Sequence, residues 1–232
     1  AGALDYVHGL CRDPATRVDV VTMSMGGLAS QAWADAVNAL YDEGVFVVTA
    51  AGNNFGNLPT RNIVFPARFA RVVAACGVMA DHSPYADLGI ERMAGNYGPN
   101  SKMAGALSAC TPNVPWAKFG CPDIIDLDGA GTSAATPQIA AAAAMWIHLN
   151  RNAADAYPEK WMRVEAVRKA LFDSAGVNAP EQNRLGRGEL RVRDALAVAP
   201  AAAASLRAQK PDSASFPILR VLTGLGIAAL PD

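Results

Sequence analysis

An excess of charge of either sign is the first thing that this sequence lacks. Its 232 residues include 20 Lys or Arg and 21 Asp or Glu, which leaves a formal net charge of −1. Without a basic excess, the composition gives no reason to expect binding to nucleic acid or to an anionic membrane surface. Long apolar runs are also missing, since no stretch reaches the roughly 18 apolar residues that a membrane span needs. We therefore expect no nucleic-acid partner and no membrane partner.

Histidine and cysteine are scarce. The histidines are His8, His82 and His148, and the chain has four cysteines. No spacing among these residues resembles a zinc site, so we assign no metal ligand. Cys110 and Cys121 flank a loop and could form a surface disulfide if the compartment is oxidising, but four cysteines do not decide the compartment or the state of this pair.

The length and composition fit one sizeable domain with a real core, because 51% of the residues are hydrophobic. The sequence opens at Ala1 with no initiator Met and no basic signal-peptide start, which suggests a piece of a longer gene product. The composition changes near Pro200. We predict a domain over residues 1–199 and a C-terminal extension or linker over 200–232, in which Pro217–Leu230 is a tail lying over the domain rather than a partner-binding segment.

Continuous apolar runs predict buried strands at Val18–Met23, Val45–Ala50 and Val72–Val78. Between the first two, Ser30–Glu43 has the periodicity of a helix, with Ser30 as its cap. Two buried strands joined by one helix form a right-handed parallel crossover. The pattern therefore predicts an α/β fold with a mostly parallel sheet.

Polar and small residues follow the first two predicted strands, at Ser24–Gly27 and Gly52–Asn54. In open α/β sheets, binding sites lie at the carboxyl ends of the strands. Later in the chain, residues 79–123 predict loops and short strands, and Glu159–Asp173 predicts a second helix. The candidate site is therefore at the ends of the early strands.

The segment Gly131–Pro137 leads into a run of alanines that strongly favours a helix. Thr136 suits the N-cap and Pro137 the first helical position, which predicts that Ser133 lies at or just before the helix start. Unsatisfied N–H groups and the helix dipole would favour negative charge on an oxygen there. Taken alone, the segment also fits a tightly packed helix entry without chemistry.

Three segments in this order resemble the subtilase family, the subtilisin-like serine proteases. They are Val18–Gly27, Val45–Asn53 followed by Phe65–Ala67, and Gly131–Pro137. The resemblance covers roughly residues 1–199, and Gly-Thr-Ser-Ala-Ala-Thr-Pro is specific for the family. It implies the C-terminal part of a three-layer subtilisin-like catalytic domain whose N-terminal strands are absent from this chain.

The resemblance also assigns roles to residues. Ser133 matches the nucleophile of a serine endopeptidase, which works through an acyl-enzyme, and Asn53 matches the side chain that completes the oxyanion hole with the backbone N–H of Ser133. Phe65-Pro66 matches a segment near the substrate pocket whose peptide bond is often cis. The residues that match the substrate-binding strand and the pocket wall are Ser24, Met25 and Gly26, and Ala50, Ala51 and Gly52, respectively.

Two of the three residues of the family's triad are missing. The triad runs Asp, His, Ser along the chain, and the Asp and His motifs of the family lie upstream of the segment that Val18–Gly27 matches. His8 falls in the helix before the first strand, and His148 is about 22 Å along a helix from Ser133. His82, on a loop, is the remaining candidate base. Gln138 also stands where the family commonly has a histidine.

These departures leave alternatives open. The chain is interpreted as part of a serine endopeptidase that needs its missing N-terminal part, in cis or as a second chain, to act on a peptide or protein substrate. A pseudoprotease that binds peptides without cutting them is the main rival, and an unrelated α/β binding module is the other. The resemblance allows calcium, for which Asp126, Asp128 and Gly129 are suggestive, and favours a secreted or periplasmic location.

Overall fold

The computed structural model describes residues 2–86 and 92–214. The strands in chain order are β1 (Val20–Met23), β2 (Phe46–Ala50), β3 (Asn53–Phe55), β4 (Val72–Val78), β5 (Met93–Gly95), β6 (Ala106–Cys110), β7 (Val114–Ala117) and β8 (Ile125–Gly129). The helices are α1 (Gly2–Leu10), α2 (Gln31–Asp42), α3 (Asn100–Met103), α4 (Gly131–Leu149), α5 (Arg151–Asp155), α6 (Trp161–Asp173), α7 (Gln182–Leu185) and α8 (Val192–Ala197).

The main sheet is parallel and has the order β1-β2-β4-β6. β2 and β4 are buried along their whole length, as their continuous apolar sequences predict. β1 is half-exposed, and the prediction of a buried strand is wrong for it. The reason is its position, because within the described residues β1 pairs only with β2 and forms an edge of the sheet.

The fourth strand of the main sheet, β6, is one of the short strands that the sequence predicts within residues 79–123, but the sequence gives neither its position nor its place in the sheet. Its sequence, Ala-Leu-Ser-Ala-Cys, is short and lacks β-branched residues, so it carries a weak strand signal. Nevertheless, residues 106–109 are buried. Burial against β4 on one side and the Glu189 segment on the other makes it a strand.

Helices cover both faces of the main sheet. Val45 and Val47 pack with residues of α1 and α2, whereas Phe46 and Val48 pack with α4 and α6. Alternate residues of β2 therefore enter opposite layers, as the two-residue period of a strand requires. The result is the three-layer α/β architecture that was predicted. Among the described residues, no helix is both long and apolar enough to cross a bilayer.

Helices α2 and α6 lie where the sequence predicts them, within two residues at each end. Ser30 caps α2, since its side-chain oxygen accepts the backbone N–H of Trp33 at 3.2 Å. Gly44 follows α2 with φ +78°, a conformation that favours glycine. Helix α6 (Trp161–Asp173) begins two residues later than predicted and ends where predicted.

The start of α4 differs from the prediction. Thr136 is not its cap and Pro137 is not its first residue, because the helix begins at Gly131 and contains Pro137 in its interior. The Thr136 hydroxyl instead donates to the carbonyl of Thr132 at 2.8 Å, one turn back. The far end of α4 is at Leu149. Ser133 consequently lies inside the first turn rather than before it.

Residues 200–214 pack against the domain. Leu206 is buried in the core layer that α4 and α6 form with the sheet. The Asp212 carboxylate accepts the backbone N–H groups of Ala70 at 2.7 Å and Arg71 at 3.0 Å. The first part of the predicted extension is therefore integral to the fold, and the predicted tail Pro217–Leu230 lies outside the described residues.

The four cysteines are free thiols in this structure, including Cys110 and Cys121. Cys76, in β4, is fully buried, and burial raises the pKa of its thiol to about 12. The Cys76 thiol is therefore protonated at neutral pH and acts as a small apolar side chain of the core.

Candidate active site

Ser133 is the third residue of α4 and lies where the helix start meets the carboxyl end of β2. The first N–H groups of a helix have no intrahelical acceptor. Within the described residues, no acceptor pairs with the N–H of Ser133. The helix start therefore offers a free donor beside the serine hydroxyl.

The hydroxyl of Thr132 joins this helix start to the end of β2. It accepts the N–H of Gly52 and donates to the Gly52 carbonyl, both at 3.1 Å, and it lies 3.2 Å from Oδ1 of Asn53. Thr132 is fully buried. Sequence reasoning missed this residue, although the hydroxyl immediately before Ser133 was a usable signal. Thr132 fixes the position of Asn53 relative to Ser133.

The amide group of Asn53 is oriented by a further bond. Its Oδ1 accepts the backbone N–H of Thr132 at 3.0 Å, which leaves Nδ2 without an acceptor within the described residues. Nδ2 lies close to Gly131, where a Cβ would approach it to 2.7 Å. Gly131 has φ +73°, so both the backbone and the space favour glycine. Asn53 Nδ2, next to Gly131, and the Ser133 N–H are thus two donors without an acceptor at the start of α4, within the described residues.

Ser24 contacts Ser133 through two bonds. The Ser24 hydroxyl donates to the Ser133 carbonyl at 2.8 Å, and the Ser133 hydroxyl donates to the Ser24 carbonyl at 3.4 Å. In a regular helix the N–H four residues later would take the Ser133 carbonyl, but that residue is Pro137, which has no N–H. Pro137 therefore frees the carbonyl that holds the end of β1 against α4.

The other residues predicted to bind substrate lie at or just after the carboxyl ends of β1 and β2. Met25 is 59% exposed next to Gly26. Gly27 forms an antiparallel bridge with Phe65, through bonds of 2.8 and 3.1 Å. Ala50 and Ala51 are buried. The side chains of Ala50 and Ala51 are therefore part of the protein interior at this end of β2.

The Phe65–Pro66 peptide bond is cis, as the resemblance implied. Phe65 follows Val64, whose N–H donates to the Ala51 carbonyl at 3.0 Å. The segment is thus bonded to the end of β2 through Val64 and to the Ser24–Gly27 segment through Phe65.

The structure joins none of the three histidines to Ser133 by a hydrogen bond. The His82 side chain is 72% exposed and forms a 2.8 Å contact with the carboxylate of Glu189. His148 is in the last turn of α4, at the opposite end from Ser133. Gln138 donates to the carbonyls of Cys110 and Ala134 at 2.8 Å. None of these contacts forms a serine–imidazole pair.

The carboxylates considered for calcium have other partners. Asp126 lies 3.7 Å from the ammonium group of Lys118, and Asp128 accepts the indole N–H of Trp116 at 2.7 Å. Among the residues that the structure describes, no three His, Cys, Asp or Glu side chains cluster as metal ligands.

A cavity of about 470 Å³ lies at a different place, near the amino ends of β4 and β6. Ala70, Gly105 and Arg168 line it. The Ser133 site, with its hydroxyl and two N–H donors, is at the carboxyl ends of the strands and is therefore separate from this cavity.

Fold and geometry together define the class: an α/β protein with a serine in the first turn of a helix and an oriented asparagine amide beside it. The match to a family model then gives the family. The model of the Subtilase family matches residues 3–189, and the chain belongs to this family.

Curated relatives share parts of the sequence. Subtilisin DY of Bacillus licheniformis is 30% identical over 130 residues, which are 55% of this chain and 42% of subtilisin DY. The minor extracellular protease Epr of Bacillus subtilis (strain 168) is 38% identical over 69 residues, which are 29% of this chain and 10% of Epr. The chain thus spans less than half of each relative.

Solved structures share the fold. Prenylagaramide maturation protease PagA superposes with a TM-score of 0.64 at 21% identity, over 83% of this chain and 66% of PagA. Patellamide maturation protease PatA gives 0.61 at 25% identity, over 83% and 67%. The PatG macrocyclase domain gives 0.62 at 21% identity, over 84% and 54%. The fold is therefore subtilisin-like.

The bond from Ser24 to the Ser133 carbonyl predicts an energetic coupling to Pro137. Ser24→Ala should lower the free energy of unfolding by about 0.5–1.5 kcal/mol, the net contribution of one hydrogen bond. In a Pro137→Ala background the loss should be smaller, because the new N–H can take the carbonyl. Urea unfolding of the four proteins of the cycle measures the coupling.

Ser174→Ala is the matched control for this cycle, since its hydroxyl donates to the Ala170 carbonyl in α6. Its effect on stability should be the same in both backgrounds. Equal losses from Ser24→Ala with and without Pro137 would contradict the role assigned to the proline.

Proposed function

We propose that this chain supplies the nucleophile and the oxyanion hole of a serine endopeptidase that acts through an acyl-enzyme. Ser133 is the nucleophile, and its N–H and Asn53 Nδ2 stabilise the oxyanion of the tetrahedral intermediate. The observation that carries the proposal is the bond from the Thr132 N–H to Oδ1 of Asn53, because it orients the amide group and leaves Nδ2 without an acceptor within the described residues.

The chemistry requires this arrangement of donors. A carbonyl under attack develops negative charge on its oxygen, and rigid donors that are already aimed at that oxygen lower the barrier. Asn53 has little freedom to turn away, since its oxygen is engaged by the buried Thr132. Fixed donors of this kind lower the barrier to acyl transfer, because negative charge develops on the carbonyl oxygen in that reaction. They would not lower the barrier to a reaction in which no oxygen gains charge.

The segment from Ser24 to Gly26 suits an extended peptide substrate. It continues from β1 and has an exposed Met25. An extended peptide can add to such a segment through main-chain hydrogen bonds, with its side chains directed to alternate sides. The substrate that we propose is therefore a peptide or an extended loop of a protein.

The base and its orienting carboxylate are proposed to come from outside residues 1–232. The exposed edge of β1 is where further strands of the domain, in cis or on a second chain, would pair.

One observation favours the rival function, a peptide-binding domain without catalysis. The Ser133 hydroxyl donates to the Ser24 carbonyl rather than to a base.

A secreted or periplasmic location is also proposed. The relative from Bacillus subtilis is named an extracellular protease, which supports this location. Cys110 and Cys121 are free thiols in this structure. In an oxidising compartment they could form a disulfide, and mass spectrometry of the secreted protein would detect that bond.

Labelling tests the nucleophile. In the protein that includes the segment upstream of this chain, a fluorophosphonate probe should react with Ser133, because an activated serine attacks phosphorus and releases fluoride. Ser133→Ala should abolish labelling, whereas Ser205→Ala, in the exposed C-terminal segment, should retain it. Labelling that survives Ser133→Ala would refute the assignment.

Kinetics test the oxyanion donor. Asn53→Ala or Asn53→Leu should lower kcat by about 10²–10³ with little change in KM, the effect of removing one such donor in subtilisin. Asn57→Gly is the control, since Asn57 lies in the turn just after β3 and already has φ 70°. An effect mainly on KM would instead show that Asn53 positions the substrate.

Activity of the isolated chain tests whether a base is missing. Loss of the triad histidine costs about 10⁶ in kcat in subtilisin, so residues 1–232 alone should not hydrolyse peptides at an enzyme-like rate. Adding the upstream segment, in cis or as a second chain, should restore activity and improve solubility. Turnover by the isolated chain of about 1 s⁻¹ or more, lost in Ser133→Ala, would contradict this, and His82 would then be the first base to mutate.

A further inference from the structure

The cavity near the amino ends of β4 and β6 is rich in positive charge. Its volume is about 470 Å³, which lies in the range of small-molecule binding sites. The chain as a whole has a net charge of −1, whereas the cations that line the cavity outnumber the carboxylates. The cations are Arg68, Lys102, Arg168, Lys169, Arg187 and Arg207, and the carboxylates are Glu165 and Asp173. This excess of one sign of charge favours an anionic ligand.

Both carboxylates already have donors of their own. Asp173 accepts a hydrogen bond from the ammonium group of Lys169 at 2.5 Å. Glu165 accepts the hydroxyl of Tyr41 at 2.9 Å through Oε1 and the side-chain amide of Gln209 at 3.1 Å through Oε2. Neither carboxylate is therefore left to neutralise the remaining cations. Within the described residues, the lining cations that form no ion pair are Arg68, Lys102, Arg187 and Arg207.

The side chain of Arg168 has hydrogen-bond donors that are buried and unpaired. It is only 7% exposed, and its Nη1 donates to the Ala70 carbonyl at 2.8 Å. Its Nε lies 3.6 Å from Glu165, and neither Nε nor Nη2 has a hydrogen-bond acceptor among the described residues. Buried donors without acceptors cost free energy, most of all on a charged group. An anion in the cavity would supply acceptors for them.

The rest of the lining suits an organic group rather than a bare ion. Phe69 and Leu206 are buried at the cavity, and Phe172 also lines it. The guanidinium group of Arg187 lies 5.6 Å from the centre of the Phe172 ring. One ligand can therefore meet both charged and apolar side chains. Guanidinium groups present paired N–H donors that match the oxygens of a phosphate.

We propose that this cavity is a binding site for a small phosphate monoester, whose phosphate is bound by Arg168, Arg187 and Lys102 and whose organic part contacts the apolar lining. The inference does not depend on the proposed function, because the cavity is separate from the Ser133 site. Helix α6 and the C-terminal segment, through Arg207, both line the cavity. A bound ligand would therefore join the C-terminal segment to the domain and stabilise the fold.

Calorimetry on the protein that includes the upstream segment tests the site, with phenyl phosphate as the probe. At constant ionic strength, phenyl phosphate should bind with a Kd of about 1 mM or below and should raise Tm by mass action. Inorganic phosphate should bind at least about 10-fold more weakly, because it has no apolar part to bury. Benzyl alcohol, which has the ring but no phosphate, should not bind in this concentration range.

Substitutions locate the site. Arg187→Gln and Lys102→Gln should each weaken the binding of phenyl phosphate about 10-fold, because each removes a charge-assisted hydrogen bond. Arg193→Gln makes the same change of charge on α8, outside the cavity lining, and should leave Kd unchanged. Asn53→Leu removes the donor beside Ser133 and should also leave Kd unchanged, since phosphate bound at the active site would lose affinity in this variant.

The buried arginine has its own test. Arg168→Lys keeps the positive charge but replaces the planar guanidinium with an ammonium group, and it should weaken binding about 10-fold or more. If this buried substitution prevents folding, as circular dichroism would show, the variants of Arg187 and Lys102 decide the question.

Three results would overturn the proposal. The first is no binding of phenyl phosphate, and the second is the same affinity in Arg187→Gln, Lys102→Gln and Arg193→Gln. The third is a loss of affinity in Asn53→Leu, which would place the phosphate at the active site. Equal affinity for inorganic phosphate would overturn the organic part of the ligand. Sedimentation of the protein with phosphatidic acid vesicles, without binding of phenyl phosphate, would assign the phosphate to a lipid headgroup instead.

Discussion

The structure depends on one buried hydroxyl, that of Thr132, which binds both the N–H and the carbonyl of Gly52. A loop after a parallel strand and the first turn of a helix each carry unpaired backbone groups, which are costly when buried. A hydroxyl can donate and accept at once, so that of Thr132 pairs with both the N–H and the carbonyl of Gly52. Because Asn53 and Ser133 are the adjacent residues on the two sides, satisfying the backbone also sets the separation of the two groups that define the site.

The proline in α4 shows how a local defect can serve a site. Within a helix, Pro137 removes one hydrogen bond, and the carbonyl that loses its partner belongs to Ser133. Ser24 supplies the replacement donor from the end of β1. The defect thus becomes a connection between the helix and the sheet edge, and the nucleophile segment is bonded on both sides, to β1 through Ser24 and to β2 through Thr132.

The sequence predicted those parts of the molecule whose local signals agree with their surroundings. β2 and β4 are continuously apolar and buried, α2 has its cap, and the Gly131–Pro137 motif located the serine. The sequence did not locate β6, because its alanines have no strand preference and neighbouring segments hold them in the sheet. The start of α4 was also placed wrongly, because Thr136 and Pro137 resemble a cap and a first helical residue although they lie inside the helix.

The carboxylate of Asp212 has a consequence for where this domain ends. It binds two adjacent backbone N–H groups just before β4, 142 and 141 residues earlier in the chain, and Ala214 N–H reaches the side chain of Gln31. A chain ended at residue 199 would lack these bonds and the buried side chain of Leu206. The shortest stretch that keeps these bonds continues through Ala214, so any exchange or fusion of this domain should join the chain beyond that residue.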